Sequence, residues 1–155
     1  MALPNIVTTT IRLSPEFRSI SLSRADIIFS GIDVSGASFQ ARIFFNNPDA
    51  NHETPLEQAN GYAGIFHVFG QGGCFGNPGH CDVPVATRPY DLRRKHDMTP
   101  IEKRVIITNA LEKVFQSDND HLRITIVPAI LSSTEKCNLV NVLTFESIDI
   151  VAYKS

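Results

Sequence analysis

This chain lacks an excess of charge of either sign. Its 14 Lys and Arg stand against 16 Asp and Glu, a formal net charge of −2 over 155 residues. A general electrostatic hold on nucleic acid, which depends on neutralising phosphates, is therefore not expected. Long apolar runs are also missing, the longest being only a few residues, as around Ile27 to Phe29, and no basic segment followed by an apolar one opens the chain. Neither a membrane span nor a secretory signal is read, and the cytoplasm is the favoured compartment. Cysteine is scarce and odd in number, at 74, 81 and 137. That excludes a disulfide-framework fold and leaves at least one thiol free or paired outside the chain. The histidines, at 52, 67, 80, 96 and 121, form no H-x-x-H, H-x-x-x-H or H-E-x-x-H pattern, and the cysteines form no C-x-x-C. With no G-x-S-x-G elbow either, the common zinc-hydrolase, redox and serine-hydrolase signatures are absent.

What is present is 43% apolar sequence at a length that makes one domain, able to bury roughly 68–70% of its unfolded surface. Residues 8–13 (TTTIRL) and 20–22 are short alternating pieces, and 25–32 (ADIIFSGI) is a longer β-rich run. The turn-like cluster at 33–36 then predicts a hairpin into 38–45 (SFQARIFF), which places Phe39, Ala41, Ile43 and Phe45 on one face. Pro48 and its Asn and Asp neighbours end that strand. Residues 63–70 (AGIFHVFG) read as a strand with Phe66 and Val68 on one face and Ile65, His67 and Phe69 on the other. Further strands are read at 103–108, at 121–128 (HLRITIVP) and at 143–153, where the apolar phase switches between Phe145 and Ile148, suggesting a bulge or a change of facing sheet. One short helix is read near 109–116, capped by Thr108 or Asn109, with Leu111, Val114 and Phe115 on its apolar face. Six to eight strands without βαβ alternation predict a single all-β domain over 1–155, an antiparallel two-sheet β-sandwich.

Several stretches carry a likeness. Residues 62–70 (YAGIFHVFG), 41–49 (ARIFFNNPD), 88–92 (RPYDL), 106–114, 122–128 (LRITIVP) and 145–150 (FESIDI) together resemble, in order, the accessory β-sandwich of type-3 copper proteins: tyrosinases, polyphenol oxidases and molluscan haemocyanins. The likeness runs from about residue 25 to 153 and covers the accessory domain only. In that family six histidines on a helical bundle hold the copper pair, whereas this chain has five, none at helical ligand spacing. Tyrosinase, catechol oxidase and oxygen-carrying activity are not expected of this chain alone. The resemblance implies a domain that covers or assembles a copper-protein active site and can place one side chain into its entrance. Phe66, Phe69 and Phe75 are the candidates for that plug or partner contact. Core packing is the competing reading for Phe66 and Phe69, which sit on a period-2 strand, and loop packing for Phe75.

Between 71 and 84 (QGGCFGNPGHCDVP) lie four glycines, two prolines and two of the three cysteines, a loop whose length points to function or disorder. Cys74, His80 and Cys81, with His67 on the preceding strand, supply two sulfurs and two imidazoles. Such donors suit Zn²⁺ or Cu⁺, including capture of copper for delivery to a partner. A disulfide stapling the loop, or free thiols, are the alternatives. The basic run at 88–96 reads as a solvated crossover, and Asp118, Asn119, Asp120 and His121 read as a helix-ending turn rather than a calcium site. Two other functions stay open: a stand-alone enzyme or ligand binder with a mononuclear metal site, and a homo-oligomeric interaction module joined through edge strands.

Overall fold

The computed structural model describes residues 3–72, 90, 99–132 and 138–155. The strands are β1 (Val7–Arg12), β2 (Leu22–Ile32), β3 (Ser38–Phe45), β4 (Tyr62–Val68), β5 (Ile101–Ile106), β6 (His121–Ser132) and β7 (Ser147–Lys154). Two short helices accompany them, α1 (Pro15–Ser19) and α2 (Thr108–Phe115). The strands form two antiparallel sheets, one in the order β1-β6-β3-β4 and the other β5-β2-β7. This is the two-sheet all-β architecture that the alternating segments predict.

Period-2 patterning builds the core. Ala25, Ile27 and Phe29 of β2, the Phe39 to Phe45 face of β3, and Leu122, Ile124 and Ile126 of β6 are all buried in one cluster. The predicted hairpin between β2 and β3 does not form, because residues 33–37 carry the chain from one sheet to the other. By crossing, the two apolar faces oppose each other across the core rather than lying side by side. The second face of β3 is also covered in part: Phe44 packs with Ala50, Val127 and Tyr62 beneath the 46–61 excursion. That excursion returns through Gly61 at φ 80, whose carbonyl accepts from the Phe45 N–H at 2.8 Å. At this φ a glycine is favoured over any residue with a Cβ.

Three local expectations are corrected. Residues 20–22 are not a strand of their own; α1 precedes them, and Leu22 starts β2. Pro15 at the first helical position favours that turn, and Arg18 ties it to the Ser117 and Asn119 carbonyls beyond α2. The α2 cap is neither Thr108 nor Asn109: Ile107 occupies the cap position without a side-chain bond, because the Thr108 hydroxyl instead accepts the Ala25 N–H at 3.0 Å. Leu111 and Val114 do face the core, as the spacing predicts. The phase switch near 145–148 is the entry into β7, not a bulge within it. Phe145 precedes the strand and meets Phe29 edge-on, with ring centroids 5.6 Å apart.

The outer face of β2 holds a buried charge. Asp26 is inaccessible to solvent, its carboxylate accepting from Arg24 Nε at 2.7 Å and Nη2 at 3.0 Å and from Arg104 Nη1 at 3.4 Å. Tyr153 Oη accepts from the same Arg104 nitrogen at 3.0 Å. Hydrogen bonding from the Arg24 guanidinium, against the opposing effect of burial, holds the Asp26 carboxyl below the usual carboxylate range. A carboxyl lowered on folding stabilises the fold above its unfolded value of about 3.9, and that stability is lost as pH falls through the folded value. Asp26→Asn should therefore lower stability at neutral pH by about 1–3 kcal/mol, with both arginines resolvated. The gap between variant and wild type should narrow at about pH 3, read from melting temperatures at both pH values. An unchanged gap would show that the carboxylate's ionisation contributes nothing.

Candidate functional site

β4 lies at the edge of the four-stranded sheet beside β3, with Phe39 opposite Val68 and Gln40 opposite His67. Alternation then divides the candidate residues. Phe66 and Val68 point into the core, where the Phe66 ring packs at a tilt against Phe29 with centroids 4.8 Å apart, and His67 points outward and is exposed. Phe69 stands one residue past the strand and is 78% exposed. Of the two aromatics weighed for core packing, Phe66 is in the core and Phe69 is not. Their separation of three residues places them on opposite faces, a parity that was available in the sequence.

The exposed Phe69 rests on a fixed base. Val68 on its N-terminal side is fully buried. On the other side the Gly70 N–H donates to Ser38 Oγ at 3.0 Å and the Gln71 N–H donates to the Val34 carbonyl at 2.7 Å. The 33–37 crossover beneath is itself braced by the Ser35 N–H donating to Asp33 Oδ1 at 2.8 Å, the side-chain-to-backbone bond characteristic of an Asx turn. Leaving a phenyl group in water forgoes roughly 2 kcal/mol of burial. Here the exposed ring is flanked by a buried residue on one side and hydrogen-bonded backbone on the other.

The 71–84 segment leaves from this same end of β4. Cys74, Phe75, His80 and Cys81 lie outside the described residues, as does Cys137. His67 is the one member of the proposed metal set whose position is described. Among the described residues no three His, Cys, Asp or Glu side chains converge on a point where a metal could sit. A histidine–carboxylate contact does occur at the far end of the sandwich, where His121 Nδ1 lies 2.9 Å from Asp120 Oδ1 and Arg12 Nε lies 3.7 Å from Asp120 Oδ2. The Asp120 carboxyl is held below its usual range by a backbone hydrogen bond first and by His121 second. The His121 N–H donates to Asn119 Oδ1 at 3.0 Å, so this cluster is the turn that the sequence predicts.

No family model matches the sequence, and no curated protein matches it. Solved structures match the fold. Latent aurone synthase (polyphenol oxidase) from a natural source superposes with a TM-score of 0.51 at 16% identity, over 98% of this chain and 24% of that one. The recombinantly expressed latent enzyme gives a TM-score of 0.55 at 16% identity, over 99% of this chain and 25% of that one. The chain thus spans about a quarter of the length of these proteins. It has the fold of a β-sandwich that forms part of a latent polyphenol oxidase, in agreement with the accessory domain that its strands resemble.

Proposed function

We propose that this chain is a non-catalytic accessory domain of a type-3 copper protein that covers the entrance of the copper site and seats Phe69 in it. The observation that carries this reading is Phe69 itself, 78% exposed on a base tied to Ser38 and Val34. A rigidly presented aromatic ring fills an apolar entrance with little loss of conformational freedom on docking. The domain acts by occupancy, excluding phenolic substrates for as long as it stays seated. Copper delivery through Cys74, His80 and Cys81, with His67 at the base of their loop, is a further part of the proposal. Elemental analysis of the purified chain bears on it directly: stoichiometric copper lost in the His67→Ala variant supports delivery, and a metal-free protein rejects it.

The plug is tested by adding the chain to a latent polyphenol oxidase from which the corresponding quarter has been removed, and following catechol oxidation. The wild-type chain should suppress oxidation, and Phe69→Ala should relieve most of that suppression. Phe69→Ala should melt within about 0.5 kcal/mol of wild type, because an exposed ring is lost without leaving a cavity. Equal suppression by both chains, or none by either, overturns the proposal.

A further inference from the structure

We propose that the end of the sandwich opposite Phe69 carries a groove that binds an extended acidic peptide, with Lys113 and Arg123 meeting its carboxylates. One cleft of about 650 Å³ lies between α2 and the start of β4, with Phe45, Ala63, Ile107 and Val114 among its walls and Lys113 at its margin. A second, of about 410 Å³, lies between Thr10, Pro48, His121 and Arg123. Asn46 and Ser117 line both, so the two clefts adjoin there.

Charge sets the occupant. No Asp or Glu lines either cleft, although acidic residues outnumber basic ones in the chain. Lys113 and Arg123 are exposed, and neither has a carboxylate partner among the described residues. Asp120 stands close by, outside the lining, and is already engaged by His121 and Arg12. Lys113 lines the first cleft and Arg123 the second, so an occupant that spans both clefts meets both cations. An extended strand advances about 3.3 Å per residue and presents every second side chain to the same side, about 7 Å apart. It can therefore offer carboxylates to both cations, and Gln58 and Asn109, which line the first cleft, bring carboxamides of the kind that pair with peptide backbone. This site is independent of the Phe69 end, since the seven residues of β4 separate the two by about 20 Å.

The test is fluorescence anisotropy with a labelled octapeptide of alternating Glu and Ala, at low ionic strength, with a Gln-for-Glu peptide of the same length as control. The acidic peptide should bind, the neutral one should not, and affinity should fall as salt screens the pairing. The double variant K113E/R123E should weaken binding by at least about tenfold, or about 1.4 kcal/mol. Both side chains are exposed, so the variant should melt as the wild type does. Failure of the wild-type chain to bind, or equal binding by the variant, overturns the proposal. So does competition by succinate at the same carboxylate concentration, which would mark a small-anion site. None of these outcomes bears on suppression of catechol oxidation through Phe69.

Discussion

Phe29→Ala is expected to lower the melting temperature by roughly 10 °C, from a loss of about 3–5 kcal/mol. Phe29 is fully buried at the centre of β2, the middle strand of the smaller sheet. Its ring meets Phe66 from the opposite sheet at 4.8 Å and Phe145 edge-on at 5.6 Å. Truncation removes the burial of the ring and leaves a void that the two sheets, fixed by their backbone ladders, close only in part. It also takes away the surface on which Phe66 rests, and with it the support beneath β4. Thermal unfolding of Phe29→Ala beside Phe69→Ala separates the two kinds of aromatic in this chain, one expected to be costly and the other nearly silent. Similar melting temperatures for both variants would contradict the assignment of Phe29 to the core.

Gly70→Ala is expected to cost about 2–4 kcal/mol and to abolish presentation of Phe69. A Cβ at this position would overlap the carbonyl oxygens of Gly36 and Ala37. These are backbone atoms of the crossover between the sheets, so no side-chain rotation relieves the overlap. The strand tail must lift away, which breaks the bonds from the Gly70 N–H to Ser38 Oγ and from the Gln71 N–H to the Val34 carbonyl. The variant should therefore show lower stability together with lost suppression of catechol oxidation, although Phe69 itself is unaltered. Hydrogen exchange at Gln71 gives an independent reading and should accelerate. A variant with native stability and protected Gln71 would show that the close approach is not required.

The two predictions differ in how far the sequence anticipates them. That Phe29 is apolar within a β-rich run is plain from residues 25–32, and alternation in 38–45 and 121–128 names most of the remaining core. These inferences hold because a strand's side chains alternate strictly, so burial of one face is written locally. The same rule distinguishes Phe66 from Phe69, yet it does not say that the chain beyond Phe69 is tied to Ser38 and Val34. Those partners are more than thirty residues away in sequence. The hairpin expected at 33–36 became a crossover for a related reason: a turn-forming cluster specifies a change of direction, whereas the choice of sheet depends on which apolar faces meet. The Thr108 cap failed because its hydroxyl was claimed by Ala25, on a strand that no local pattern links to the helix.

The sequence by itself determined the class of fold, most of the strand content and the amphipathic helix α2, since each is a matter of local period. Only the tertiary structure decided which aromatic stands in solvent beside hydrogen-bonded backbone and that Asp26 is buried between two arginines. It alone placed Lys113 and Arg123 in two adjoining clefts. Each of these joins residues from separate strands, and antiparallel pairing across two sheets sets such neighbours through long-range register that no stretch of the chain encodes alone.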